Sequence, residues 1–293
     1  MKILNYGSCC IDKVYSVQDF VQPGETIPCI DFAIHPGGKG LNQSIAMASA
    51  GASVIHAGKL GKDGLWLKEL LIDKGVNVDA LDVVDGPSGH ANIQVSATGE
   101  NSIIIVGGSN RQITPEDFPR AFSEVEPGDF LLLQNEVSHL QDIMRYGHDQ
   151  GLRIVFNAAP MTPDVIDLPL ELVEYLLVNQ TEAMALTGTT NHNSEDLLDS
   201  LKQKLPNTNV ILTLGSEGAI YQGNTGTFKQ TAFAANAIDT TGAGDTFTGY
   251  FLAALSEGQD IPDCLALACK AASISVTRPG AASSIPGRDD VSA

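Results

Sequence analysis

Short apolar runs of strand length alternate with stretches of helical spacing along most of this 293-residue chain. The strand-like runs include Ser53–Ala57, Phe130–Leu133, Ile154–Phe156, Tyr175–Val178 and Val210–Leu214. Between them, Leu41, Ile45 and Ala48, then Leu65, Leu67 and Leu71, then Leu197, Leu198 and Leu201 recur at helical intervals. Such alternation predicts βαβ units. The expected fold is α/β, with a central, mostly parallel sheet flanked by helices. The length suits one large domain, taken here as residues 1–293.

Two regions break the rhythm. Val14 to Ile34 holds short β-like pieces around the turn Pro23-Gly24, and His90–Ala97 and Ser102–Val106 flank Thr98-Gly99-Glu100-Asn101 as a β-hairpin. These pieces are too short to stand alone. They are expected to form a small β-sheet lid, with strands from about 12–35 and 88–107.

The segment Asp239-Thr240-Thr241-Gly242-Ala243-Gly244-Asp245 carries the strongest chemical signal. Phe247, Phe251 and Ala254 follow at i, i+4 and i+7, so a buried helix should begin near Ala243. Gly242 and Gly244 allow a sharp turn and close approach to the amides. Free N–H groups at a helix start make an anion site, which phosphoryl transfer requires. Asp245 falls in the first turn, where a carboxylate can take a proton from an alcohol while the amides hold phosphoryl oxygens. Taken alone, Asp245 reads equally as a helix cap.

A formal net charge of -18 disfavours nucleic acid and anionic membranes. The six histidines are scattered without ligand spacing, and the aromatics do not interleave with basic residues. Five cysteines, an odd number without a C-x-x-C, fit free thiols in a reducing compartment. No signal-peptide pattern follows Met1, and no apolar run approaches the ~18 residues that span a bilayer, so a cytoplasmic protein is expected.

The C-terminal segment resembles a signature of the ribokinase-like (PfkB) carbohydrate kinases. Pro36-Gly37-Gly38-Lys39-Gly40-Leu41-Asn42-Gln43 matches the family's other signature, Asn179-Gln180-Thr181-Glu182 its N-x-x-E motif, and Thr213-Leu214-Gly215 its nucleotide segment. The matches run in order from Gly7–Asp12 to Ser284, nearly the whole chain. There is no Walker A motif and no G-x-G-x-x-G after a strand. Gly107-Gly108-Ser109-Asn110 and Asn157-Ala158-Ala159-Pro160 look closest to the ribokinase branch.

The resemblance implies ATP-dependent phosphorylation of a sugar hydroxyl, with D-ribose going to ribose 5-phosphate. The alternatives are another sugar such as a fructose-type hexose, a nucleoside, or a non-catalytic sugar-binding regulator. It implies Asp245 as base, with Gly242, Ala243 and Gly244 as the anion hole. Asp12, Gly38, Asn42 and Glu136 would hold the sugar, and Asn179, Thr213, Gly215 and Gly244 the nucleotide. Glu182 would orient Mg²⁺ through water, and Asp239, Thr241, Ser275, Arg278, Gly280 and Ser284 would surround K⁺. The Asn179 and Glu182 pair also reads as an N-cap. Lys39 is assigned no role, because in the family its loop faces the sugar. Cys10 stands where ribokinases carry Asn, which weakens one expected hydrogen bond to the pentose. By analogy the lid offers a surface for a homodimer.

Overall fold

A computed structural model describes residues 1–292. Its strands are β1 (Lys2–Tyr6), β2 (Cys10–Ser16), β3 (Asp31–Gly37), β4 (Ser53–Gly61), β5 (Leu81–Val84), β6 (Gly89–Val95) and β7 (Asn101–Val106). They continue with β8 (Phe130–Gln134), β9 (Arg153–Asn157), β10 (Val173–Asn179), β11 (Asn209–Thr213), β12 (Ala219–Gly223) and β13 (Gly226–Gln230). The helices are α1 (Lys39–Ser49), α2 (Leu65–Asp73), α3 (Phe118–Ala121), α4 (Leu140–Asp149), α5 (Gln180–Thr187), α6 (Ser194–Lys204), α7 (Ala243–Ser256), α8 (Ile261–Ser275) and α9 (Arg288–Ser292).

Nine strands form one sheet in the order β13-β12-β11-β10-β9-β8-β1-β4-β5. Pairing is parallel from β5 to β11 and antiparallel only for β12 and β13. The apolar runs of β1, β8 and β9 are buried on both faces, as parallel strands under helices must be. Alternate residues go to opposite layers. Leu132 and Val155 join the core under α1, α7 and α8, whereas Leu131, Ile154 and Phe156 join the core under α4, α5 and α6. Leu65, expected on the buried stripe of α2, is 44% exposed, and Leu67 and Leu71 carry that contact.

Strand order reverses between β1 and β8, since the chain moves from β1 out to β5 and returns to the other side. Such a switch point opens a crevice beyond the C-terminal strand ends. The segments after β1 and β8 carry Ser8 and Glu136 into it.

The lid is a separate four-stranded sheet, ordered β3-β2-β6-β7. The β6–β7 hairpin pairs Val95 with Asn101, so Asn101 belongs to the strand and Ala97 to the turn. Ile103, Ile104 and Ile105 on β7 are at least half exposed. Among the described residues no helix is long and apolar enough to cross a membrane.

Candidate active site

Helix α7 starts where Gly242 adopts φ 73°, a left-handed conformation that favours glycine. A Cβ on Gly242 would also come within 2.9 Å of the Ala281 Cβ. On Gly244 a Cβ would meet nothing within 4 Å. Asp245 follows in the first turn and is only 7% exposed. Asn42 donates from Nδ2 to Asp245 Oδ2 at 3.0 Å, and Gln43 donates from Nε2 to Asp245 Oδ1 at 2.8 Å. Both donors lie on α1, so the two glycine motifs of the sequence meet at one carboxylate.

In front of Asp245 lies a cavity of about 240 Å³, walled in part by Lys39, Asn179, Glu182, Thr213 and Gly244. The charge of Asp245, joined by those of Glu136 and Glu182, holds the Lys39 ammonium above its usual range against the effect of burial. Sequence alone assigns the Lys39 side chain no position, and the structure places it in the cavity wall. Its backbone turns toward Glu136, which accepts from Lys39 N at 2.9 Å, while its side chain lines the cavity.

Asn179 and Glu182 form a reciprocal capping box at the start of α5. Asn179 Oδ1 accepts from Glu182 N at 2.9 Å, and Glu182 Oε2 accepts from Asn179 N at 2.9 Å. Both also line the cavity, so the cap and the wall are one feature. Burial raises the Glu182 carboxyl despite its hydrogen bonds with Asn179 and the nearby Lys39 charge. Two expected residues do not line this cavity. Gly215 is exposed at φ 56°, beyond the end of β11, and Ala243 gives its N–H to Thr240 O at 3.2 Å.

On the other side of Lys39, Glu136 accepts from Ser8 Oγ as well as from Lys39 N. Asp12 on β2 stands over Gly37, where any Cβ would strike its carboxylate. Burial, with the charge of Glu136 added, pushes the Asp12 carboxyl up to about 6. Cys10 lies on the same face of β2 two residues earlier, and its thiol is pushed up by burial and by Glu136 and Asp12. Asn110 donates to Cys10 Sγ at 3.4 Å and to Cys9 O at 3.0 Å. Gly38 has φ 92°, and a Cβ there would lie 2.9 Å from Cys10 N. Asn42 Oδ1 is buried without a hydrogen-bond partner among the described residues. Asp12, Cys10 and Asn42 thus present an acceptor pair, a weak thiol and an orphaned acceptor, a set suited to the hydroxyls of a polyol.

Beside α7, the Asp239 loop packs on the loop that ends α8. Asp239 Oδ1 accepts from Thr241 N at 2.9 Å and Oδ2 from Gly280 N at 2.8 Å. Burial pushes the Asp239 carboxyl up, but these hydrogen bonds outweigh it and hold it below its usual range. Ser275 and Ser284 are buried, and each hydroxyl donates to a backbone carbonyl, of Ala272 and Ala281 respectively. The Arg278 guanidinium pairs with Asp290, so only its backbone remains for a cation. This oxygen-rich pair of loops fits a weakly hydrated monovalent cation better than a transition metal.

Among the described residues, no three His, Cys, Asp or Glu converge as a metal centre. Glu182 and Asp245 are the cavity's carboxylates. Such a sparse oxygen set fits Mg²⁺, which keeps several waters and takes phosphate oxygens as ligands. Sequence reasoning missed Ser8, the side chain of Lys39 and the contact of Gln43 with Asp245. The G-G-K-G-x-N-Q motif named two of these residues without showing which way they point.

A family model described as pfkB family carbohydrate kinase matches residues 1–288. A Bacillus subtilis (strain 168) ribokinase is 35% identical over 290 residues, covering 97% of this chain and 96% of that protein. The crystal structure of ribokinase from Cryptococcus neoformans var. grubii serotype A in complex with ADP aligns with a TM-score of 0.87 at 33% identity, over 99% of this chain and 98% of the other. The structure of Arabidopsis thaliana ribokinase complexed with ribose and ATP aligns with a TM-score of 0.88 at 30% identity, over 99% and 96%.

Proposed function

The chain belongs to the pfkB family of carbohydrate kinases, and from that premise and the geometry around Asp245 we propose that it phosphorylates D-ribose with ATP. The product is ribose 5-phosphate. One observation carries the reading. A buried carboxylate sits at the start of α7, with a cavity on one side and the orphaned Asn42 Oδ1 beside it.

In this reading the ribose lies between Asp12, Gly38, Asn42 and Glu136. Asp12 accepts from two neighbouring hydroxyls, and Asn42 Oδ1 accepts from a third while its Nδ2 holds Asp245. The nucleotide occupies the cavity, with Asn179 and Thr213 on its wall toward the base and ribose and the Gly242–Gly244 turn at the phosphates; the base extends past the wall to the exposed Gly215 turn. Asp245 removes the proton of the attacking hydroxyl. The sugar oxygen bonds to the γ-phosphorus as the bond to the β-phosphate oxygen breaks, and ADP leaves. The amides at the start of α7 beyond Ala243, whose N–H goes to Thr240 O, and the Lys39 ammonium face the charge that spreads over the moving group.

Glu182 would hold Mg²⁺ through water, and when bound the ion neutralises phosphate charge. The Asp239, Thr241, Ser275, Arg278, Gly280 and Ser284 loops would hold K⁺ against the anion hole. The whole chain acts as one domain, its lid closing over the sugar to exclude water. The exposed isoleucines of β7 suit pairing with a second lid, which favours a homodimer. Free cysteines accord with a cytoplasmic setting.

The test is ADP release from Mg-ATP with K⁺ across ribose, other pentoses, hexoses and nucleosides. Turnover selective for ribose, lost by about 10²-fold or more in Asp245→Asn, is expected. Sugar or nucleotide binding without any turnover would defeat the reading in favour of a binding regulator.

A further inference from the structure

Asp245 is one end of a buried run of hydrogen bonds that passes between α1 and the inner strands β8, β1 and β4. Gln43 Nε2 donates to Asp245 Oδ1 at 2.8 Å, and Gln43 Oε1 accepts from Gln134 Nε2 at 2.8 Å. Gln134 Nε2 also donates to Asn5 Oδ1 at 2.9 Å. Asn5 Nδ2 donates to Gly40 O at 2.7 Å and to Ser44 Oγ at 2.8 Å. Ser44 Oγ in turn meets His56 Nδ1 at 2.8 Å. Asn5, Gln43, Ser44, His56 and Gln134 are all essentially inaccessible to solvent.

Burying five polar side chains is costly unless their bonds are made; within the run Gln134 Oε1 is left without a partner among the described residues, and an apolar cluster would pack this volume more cheaply. The run has a direction. Gln134 turns its amino group to both Gln43 and Asn5, which obliges Gln43 to present its oxygen inward and its amino group to Asp245. With Asn42 Nδ2 on the other carboxylate oxygen, both neighbours of Asp245 are donors. Neither can take up a proton from it.

We propose that Gln43, locked by Gln134 and Asn5, is a positioning residue for Asp245. It fixes the carboxylate plane so that the proton of the sugar hydroxyl arrives only on a lone pair facing the cavity. This rests on the reading of Asp245 as base. Gln43 does not line the cavity and is wholly buried, so it acts through Asp245 and not on a substrate. The titratable groups around it are Lys39 on α1, Glu136 beyond β8, Glu182 on α5, and His56 and Cys9 at the far end. Burial lowers His56 to about 4 and raises the Cys9 thiol, so neither changes charge in the working range.

Two variants and a control test this. Gln43→Met keeps the length and removes the donor; kcat should fall by about 10- to 100-fold with KM for ribose and ATP little changed. Gln43→Glu keeps the acceptor for Gln134, but its new carboxyl must be protonated to donate to Asp245. Its kcat should acquire a falling alkaline limb that the parent enzyme lacks, because two carboxylates in contact repel. A residue needed only for packing would not move the pH profile. Should Gln43→Met fail to fold, Gln43→Glu decides through that limb. Asp245→Asn runs alongside. If it retains turnover, the base assignment is wrong. If it is inert while both Gln43 variants match the parent in kcat and pH profile, the base stands and the positioning role is overturned.

Discussion

Gly249 of α7 lies so near Ala46 of α1 that a Cβ on the glycine would stand 2.3 Å from the Ala46 Cβ. One turn earlier on each helix are Asp245 and Asn42, joined at 3.0 Å. The spacing of the two helix axes therefore sets whether the side chains of α1 reach the carboxylate of α7.

Gly249→Ala measures that dependence. Helix propensity alone favours alanine by about 1 kcal/mol. Here the added methyl meets Ala46 Cβ and also the Met47 backbone nitrogen at 2.8 Å, which cannot swing away. Overpacking should win, with a net loss of about 1–3 kcal/mol. Denaturant unfolding should record the loss, and kcat should fall in parallel as Asn42 and Gln43 are drawn off Asp245.

Asp12 gives the site a pH dependence of defined sign. Its carboxyl is raised from 3.8 to about 6 in the folded protein, by burial first and the charge of Glu136 second. A raised carboxyl binds more protons folded than unfolded, so this contribution to stability is present below about 4 and is lost as pH rises to about 6. On the proposed sugar contact, binding runs the other way, because only the ionised form would accept from two hydroxyls. KM for ribose should climb below about pH 6, approaching tenfold per unit. In Asp12→Asn that climb should vanish and KM should be high throughout; steady-state kinetics from pH 5 to 8 would decide.

Lys39→Met should lower kcat/KM for ATP by about 10- to 100-fold while leaving sugar affinity within a few-fold. The ammonium lines the cavity with Glu182 and Asp245, and removing it strips the one side-chain cation on that wall. Isothermal titration with ribose and with ATP separates the two substrates. Equal weakening of both would return Lys39 to the sugar side.

Cys10→Asn should raise kcat/KM for ribose by about fivefold, the worth of one added hydrogen bond of ~1 kcal/mol. The thiol faces the same side of β2 as Asp12 and now serves mainly as a weak acceptor for Asn110. A fall in activity would mean that the amide is too large for the space or that no sugar oxygen lies there.

The parts of the fold that follow from local pattern were open to reading from sequence. The apolar runs of β8 to β11 declared a parallel sheet, and the spacing of Phe247, Phe251 and Ala254 located the start of α7 correctly. The Asn179 and Glu182 pair could be read as cap and as ligand, and the capping box occupies the cavity wall. The placement of the Lys39 side chain was not legible locally, because its surroundings include Asp245, more than 200 positions away. Gln134 and Asn5 carried no motif at all, and only strand pairing brings them beside Gln43. Gly249 reads locally as a weak point in a helix, and nothing local shows that Ala46 fills the space its side chain would need.

The strand reversal at β1 and β8 divides the chain in a second way. Ser8, Cys10, Asp12, Gly38, Asn42, Glu136 and all four lid strands precede Val137. Asn157, Asn179, Glu182, Thr213 and Gly244 all follow the exposed turn at Gly151. On the reading above, and apart from Lys39, which reaches the cavity from the first stretch, acceptor preference and nucleotide preference are inherited from separate, contiguous stretches of the gene product. A single crossover near that turn between two homologues would recombine them, pairing the sugar of one parent with the nucleotide of the other.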